Sequence, residues 1–233
     1  MKKVITDLVD FHSHILPEAD HGSTSVETSL FQLHSAYNNG VRRIVATPHF
    51  YPNSHSVDSF LERRNRAFCE LYKSMTPELP KIKLGAEVLI CGGIENMENI
   101  DKLFIEGTNV LLLELPFSNF ESSFANSVDK LVTSGVNVIL AHADRYPTES
   151  VERLIACGAK IQLNAASLAG CFRQRRLYDW MSRGCVVALG SDIHGNDKRA
   201  YKLFNSAIAK IGDNGEYIKS ESDKIWSEAR YHN

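Results

Sequence analysis

The sequence predicts an α/β protein built as a βα barrel, complete or distorted, of about seven strands. Three observations carry this. Strand-like and helix-like stretches alternate from Leu8 to about Ile211. Several strand-like runs, Val110–Leu113 and Val138–Ala141 among them, are continuously apolar, as strands of a helix-covered parallel sheet are. The βα units follow one another without a break, which favours a barrel over an open doubly wound sheet, and no GxGxxG follows the first strand.

Each element has a local reason. Leu8–Phe11 is the first strand; a loop rich in Pro, Gly, Asp and Ser, Leu16–Thr24, follows. Ser23, Thr24 or Ser25 can cap a helix that runs to about Asn39 and stops at Gly40. Arg43–Thr47 is the second strand, halted by Pro48, and a charged helix spans Val57–Met75. Ile82–Ile90 is the third strand, with a short helix near Ile94–Ile105 after it. Val110–Leu115 is the fourth, followed by the helix Ser122–Ser134 ending at Gly135. Val136–Ala141, Lys160–Leu163 and Val186–Leu189 are the remaining strands. Their helices are Thr148–Cys157, Arg175–Arg183 and Asp197–Ile211, the first two closed by Gly158 and Gly184.

The 233 residues, 43% hydrophobic and 23% charged, suit one domain over 1–233, with 212–233 expected as a polar, loosely packed tail. A net charge of −2 does not mark a nucleic-acid binder. The chain has no apolar run near 18 residues and no signal-peptide pattern, so a cytoplasmic protein without membrane insertion is expected. Cys69, Cys91, Cys157, Cys171 and Cys185 are odd in number and lack CxxC spacing. They read as free thiols, mostly buried.

Chemistry in a βα barrel collects at the C-terminal ends of the strands. Six of the nine histidines fall at or just beyond such ends. His12 and His14 share a face if the first strand continues through them, and His21 lies in the loop beyond. His49 follows the second strand, Glu87 lies in the third, Glu114 ends the fourth and His142 the fifth. Asp192 and His194 follow the seventh. Singly, each has an ordinary explanation: a salt bridge or rim position for Glu114, a solvated strand end for Glu87, a turn and helix cap for Asp192–His194. Together, nine imidazole and carboxylate donors point to two or three divalent metal ions, because one catalytic zinc takes about three protein ligands. Donors without thiolate suit manganese, iron or zinc. Adjacent metals activate water and bind phosphoryl oxygens, so hydrolysis of a phosphate ester is the expected chemistry. Arg145, three residues after His142, and Arg199, five after His194, are placed to pair with phosphate. Asp144 is one candidate proton donor to the leaving group, a metal-bound water the other. Arg173, Arg175 and Arg176 could line the mouth but read first as a solvated helix face.

The motifs Asp10-Phe11-His12-Ser13-His14-Ile15-Leu16-Pro17, Ala46-Thr47-Pro48-His49, Gly85-Ala86-Glu87, Leu113-Glu114-Leu115-Pro116-Phe117, Ala141-His142-Ala143-Asp144-Arg145-Tyr146 and Ser191-Asp192-Ile193-His194 run in order over residues 8–200. In these motifs the chain resembles the polymerase-and-histidinol-phosphatase (PHP) superfamily. It is most similar to the bacterial manganese-dependent protein-tyrosine phosphatases of capsule and exopolysaccharide synthesis. The resemblance implies a distorted seven-stranded (β/α)7, TIM-like barrel with a trinuclear site. His12, His14, Glu114 and Asp192 would hold one metal, Glu87, Glu114 and His142 a second, with His49 and His194 at the third. Manganese is the metal it implies first, with Arg145 and Arg199 near the substrate phosphate. The implied substrate is phosphotyrosine on the tail of a bacterial tyrosine kinase that controls polysaccharide export.

Three positions depart from the family pattern. His21 stands where a ligating aspartate is usual, Ala143-Asp144 replaces Pro-Glu, and Gly195 replaces Asn. A small-molecule phosphatase, such as one for histidinol phosphate, remains the same-fold alternative. A metal-bearing regulatory or scaffold protein without turnover is another. An amidohydrolase also opens with HxH, but no lysine ends the fourth strand here.

Overall fold

The computed structural model describes residues 5–116, 120–170 and 174–227. Phe117, Cys171, Arg173 and the last six residues of the expected tail lie outside them. Nine strand segments pair in parallel throughout. β1 (Leu8–Ser13), β2 (Val41–Ala46) and β4 (Lys81–Leu84) form one sheet. β3 (His49–Phe50), β5 (Glu87–Leu89), β6 (Val110–Glu114), β7 (Asn137–Leu140), β8 (Lys160–Asn164) and β9 (Val186–Gly190) form the other, in that order.

The nine segments make seven barrel strands. β2 runs on into β3 across Thr47-Pro48, and β4 into β5 across Gly85-Ala86. Proline has no N–H to give a ladder, so the second strand is interrupted there. Backbone bonds still span both breaks: Gly85 N donates to Ala46 O at 2.9 Å and Glu87 N to Pro48 O at 3.1 Å. The expected single strand Ile82–Ile90 is thus two pieces. The expected helix Ile94–Ile105 is two short 3₁₀ turns, Ile94–Asn96 and Ile100–Leu103.

β9 meets β1 without a regular ladder, which is the distortion of the barrel. Asp192 N donates to His12 O at 2.8 Å and His14 N to Ile193 O at 3.3 Å. The buried carboxylate of Asp10 takes Ser191 N at 2.8 Å and Ser191 Oγ at 2.6 Å. At this seam the backbones are close: a Cβ on Gly190 would lie 2.5 Å from His12 Cβ.

The helices cover the outside. α1 (Val26–Asn38) is capped by Ser25, whose hydroxyl accepts from Thr28 N at 3.2 Å. α2 (Val57–Tyr72), α3 (Ser122–Thr133), α4 (Thr148–Ala156), α5 (Ala165–Ala169), α6 (Arg175–Ser182) and α7 (Ala200–Ile211) follow. α7 begins three residues later than the sequence suggests, because Gly195-Asn196 is a turn and Lys198-Arg199 a bend. The main core lies between strands and helices and includes the buried Phe60, Trp180, Tyr201 and Phe204. A smaller cluster fills the barrel interior: Val9, Phe11, Val45, Val110, Leu112 and Ile139 belong to it. Along β6, Val110 and Leu112 face this interior and Leu111 and Leu113 face the helices, so Glu114 falls on the inward row.

Residues 213–227 are not a loose tail. They form α8 (Asp213–Ser227), which packs across β1, β9 and α7 at the N-terminal end of the barrel. Ile218 is buried, Ser222 Oγ donates to Val187 O at 3.1 Å, and Ile225 and Trp226 rest on the interior cluster. Arg43 of β2 reaches Asp223 at 2.7 Å. Of the described cysteines only Cys185 is buried; Cys69 is exposed on α2, against the expectation for most of them. No helix among the described residues is long and apolar enough to cross a membrane.

If α8 is part of the folded unit, Ile218→Ala is expected to cost about 2–5 kcal/mol in urea denaturation, as for other buried aliphatic truncations. A loss within experimental scatter would return this segment to the status of a tail.

Candidate metal centre

The site is built at the C-terminal ends of the strands, around Glu87. The Gly85-Ala86 break turns this carboxylate inward at the start of β5, where it is fully buried. Its Oε2 lies 3.1 Å from His12 Nε2, 3.3 Å from His14 Nε2 and 2.9 Å from His49 Nδ1. Its Oε1 is 2.7 Å from His142 Nε2. Glu114 sits beside the same imidazoles, 3.5 Å from His142 Nε2 and 3.7 Å from His49 Nδ1. Asp192 Oδ1 faces His14 Nε2 at 3.4 Å, His194 Nδ1 at 3.6 Å and His12 Nε2 at 3.7 Å.

Three overlapping groups have donor atoms close enough to share an ion: His12, His14 and Glu87; His49, Glu87 and Glu114; and His14, His49 and His194. The carboxylate common to the first two is Glu87. The resemblance implies Glu114 at two of the metals, with His12 and His14 and with His142; here its carboxylate stands beside His142 and His49. His21 is exposed, and its ring stacks on His49 (4.9 Å between centroids, 10°) and on His194 (4.8 Å, 28°). It thus brings another imidazole to the edge of the third group.

The donor set fits a metal. His14 Nδ1 donates to Asp20 Oδ2 at 2.7 Å and His12 Nδ1 to Gln162 Oε1 at 3.1 Å. Both bonds leave an Nε2 lone pair pointing inward, and the two Nε2 atoms are 3.1 Å apart. Two lone pairs at that distance need a cation or a proton between them. Glu87 Oε2, His49 Nδ1, His142 Nδ1 and His194 Nε2 are buried without a well-aligned hydrogen bond. Unpaired buried donors and acceptors are costly, and a bound ion would satisfy those that face it.

The electrostatics are those of a carboxylate–imidazole cluster. Burial alone would lower His142; its bonds to Glu114 and Glu87 outweigh burial and raise it to about 9. His49 is raised to about 9 by the same two carboxylates against the same burial cost. Burial would raise Glu87, but the imidazoles of His12, His14 and His142 hold it well below the usual carboxylate range. His194 goes the other way: burial and the nearby His14 lower it to about 4. His142 (φ 31°) and Asp192 (φ 51°) both lie in the left-handed region without being glycine. Such positions cost of order 1–3 kcal/mol and persist where surroundings fix them.

The expected phosphate and proton-transfer residues fare differently. Arg145 stands at the mouth, its Nη2 2.5 Å from Asp192 Oδ2 with the rest of the guanidinium open to solvent. Arg199 is exposed at the start of α7; its backbone N–H donates to Asp197 Oδ1 at 2.7 Å and its carbonyl accepts from Leu203 N at 2.9 Å. Asp144 turns away from the cluster. Its Oδ1 accepts from Asn164 N at 2.7 Å and its Oδ2 from Ser167 Oγ at 2.6 Å, so it ties its loop to the β8–α5 junction and is not poised as an acid. The 3₁₀ turn Ala143–Arg145 splays these neighbouring side chains apart. Arg175 is exposed; Arg176 donates to Asp144 O at 2.5 Å and Tyr146 O at 2.8 Å and so braces the same loop.

Several supporting residues lie outside the nine candidate donors. Asp20 fixes His14 and also accepts from His49 N at 3.1 Å. Gly22 lies against His14, where a Cβ would come within 2.1 Å of His14 Cβ. Tyr146 Oη donates to Leu115 O at 3.0 Å and accepts from Leu115 N at 3.1 Å, tying the His142 loop to the end of β6. The signals that the sequence offered for these are the adjacency of Asp20 to candidate ligands and the place of Tyr146 in the His142 motif.

A family model described as capsular polysaccharide synthesis, CpsB/CapC, matches residues 8–224. The chain belongs to this family. Tyrosine-protein phosphatase CpsB of Streptococcus pneumoniae is 26% identical over 212 residues, covering 82% of this chain and 85% of that protein. The CapC protein of Staphylococcus aureus is 34% identical over 222 residues, covering 87% and 84%. A solved structure from the pair YwqE of Bacillus subtilis and CpsB of Streptococcus pneumoniae, described as unique metal-dependent tyrosine phosphatases, superposes over 95% of both chains with a TM-score of 0.76 at 22% identity. That likeness establishes the shared distorted PHP barrel, with the His/Glu cluster of this chain at its C-terminal mouth.

Metal and proton compete for His49 and His142. Their raised pKa means that the imidazolium–carboxylate pairs stabilise the metal-free chain fully below about pH 6.5 and lose that contribution as pH rises through about 9. Metal uptake at about pH 7.5 is therefore expected to release protons, and apparent affinity to climb with pH towards about 9. Titration calorimetry in buffers of different ionisation enthalpy counts these protons; a count of zero would contradict the pairing. Asp144→Ala is expected to lower stability by about 1–3 kcal/mol in denaturant titration, the cost of leaving Asn164 N and Ser167 Oγ without their acceptor.

Proposed function

We propose that the chain is a metal-dependent phosphomonoesterase acting on phosphotyrosine, with manganese as the metal it uses first and iron or zinc as alternatives. The observation that supports this most is the buried Glu87 carboxylate, shared among four imidazoles with Glu114 and Asp192 at its sides. Divalent metals bound there would supply a nucleophile at neutral pH and positive charge for phosphoryl oxygens. His12, His14, Glu87 and Asp192 would hold one ion and Glu87, Glu114, His142 and His49 the next; His14 spends its single lone pair on the first, so a third ion would rest on His194, with His21 at its edge.

The chain's own side chains do the rest. Arg145 offers its solvent-facing N–H groups to the phosphate, while its bond to Asp192 Oδ2 keeps the guanidinium over the cluster. The half-buried Tyr51 stacks beside His49 at 5.4 Å and 16°, on the same mouth. Asp144 is engaged with α5 and does not protonate the leaving group. An aryl ester needs that help least, because a phenol loses its proton near pH 10, far below an alkanol. This favours phosphotyrosine over the alkyl ester of a small-molecule substrate such as histidinol phosphate. Names given to the relatives, tyrosine-protein phosphatase CpsB among them, point the same way. Within that reading the substrate is the phosphorylated tail of a bacterial tyrosine kinase of capsule synthesis, met in the cytoplasm.

The test is phosphate release from a phosphotyrosine peptide with added Mn²⁺, run beside histidinol phosphate. Manganese-dependent release is expected from the peptide, with kcat/KM higher than for the alkyl ester. His142→Ala should lower kcat by more than about 100-fold, beyond what losing a ligand's hydrogen-bond partner costs. No release from the peptide at any metal concentration would sink the proposal.

A further inference from the structure

β8 supplies no candidate ligand, yet its two amide side chains reach three of them. Gln162 is fully buried, and its Oε1 accepts from His142 N at 2.7 Å and from His12 Nδ1 at 3.1 Å. Its Nε2 donates to Asn164 Oδ1 at 3.1 Å, and Asn164 Nδ2 donates to Asp192 Oδ2 at 3.1 Å. The direction of this chain is fixed at both ends. A backbone N–H only donates and an ionised carboxylate only accepts, so neither amide has a choice of orientation. The strand period places 162 and 164 on one face, and Gly190 on β9 leaves the room: a Cβ there would come within 2.6 Å of Gln162 Nε2.

We propose that Gln162 and Asn164 form a directed amide relay that sets three candidate ligands at once. At one end the relay fixes His12 as the Nδ1–H tautomer, which turns its Nε2 lone pair toward Glu87 and His14. It also holds the backbone of His142 in its left-handed turn. At the other end it occupies Asp192 Oδ2, leaving Oδ1 for the cluster. Arg145 binds that same Oδ2, so the relay also sets where the phosphate-facing guanidinium hangs. Both amides are positioning residues: their oxygens are already engaged, Gln162 Oε1 by His142 N and His12 Nδ1, and Asn164 Oδ1 by Gln162 Nε2. The inference rests on reading the cluster as a metal centre, and not on the identity of the substrate.

The test is metal binding by the whole chain, with Mn²⁺ and Zn²⁺ alone as probes, by calorimetry and by elemental content after gel filtration. Gln162→Leu and Asn164→Leu are each expected to weaken binding about 10- to 100-fold, the range for losing a ligand's hydrogen-bond partner. Gln162→Glu keeps an acceptor for His12 and His142 and loses only the donor to Asn164, so it should recover part of the loss. Because the relay acts as one unit, the double leucine variant should lose little more than the worse single variant. Wild-type affinity in Gln162→Leu, or losses that add fully in the double variant, would overturn the relay. Should Gln162→Leu not fold, Asn164→Leu and Gln162→Glu decide it by the same measurement. Wild-type protein that takes up neither ion would overturn the metal reading itself, and with it the relay. Phosphotyrosine turnover enters none of these outcomes, so failure of the substrate assignment stays separate.

Discussion

The C-terminal end of this barrel depends on one buried carboxylate. A glutamate with no exposed surface is unstable unless its charge is met, and Glu87 is met from β1, from β3 and from the turn after β7. Those elements cannot slide relative to one another without leaving charge unpaired. The same demand accounts for the left-handed backbone at His142 and Asp192. Each carries a side chain that must turn back over the strand ends, and the surrounding bonds hold the strain.

A second carboxylate closes the barrel. Asp10 stands where β1 and β9 fail to form a ladder, and it takes both polar groups of Ser191. Burial pushes it up to about 6 even though Ser191 opposes the shift. The seam does more than close the sheet. It sets the His12–His14 segment against the Asp192–His194 segment, so donors from opposite ends of the chain meet in one cluster.

Much of this was legible in the sequence, because barrel strands put chemistry at their C-terminal ends and ligand-type residues recur there. The alternation of strands and helices and the nine candidate donors could be read directly. What sequence spacing could not decide was reach. Glu87 and Glu114 look equivalent as strand carboxylates, and only the Gly85-Ala86 break brings the first into the centre. Asp144 and Arg145 are neighbours in sequence, but a 3₁₀ turn sends one to α5 and the other to the mouth. Gln162 and Asn164 belong to no motif, since an amide becomes informative only once its partners are known. α8 was hidden by composition: its inward row is carried by Ile218, Ser222 and Ile225 among charged residues, too sparse a stripe to announce a buried face.

The position of α8 gives the molecule a polarity. The helix lies across the end of the barrel away from the cluster, with Trp226 O taking Lys83 Nζ at 2.8 Å beneath the strands. The main chain therefore leaves Ser227 on the floor of the barrel while the histidines open from its roof. Whatever binds at the histidine cluster therefore meets the strand-end loops and not α8.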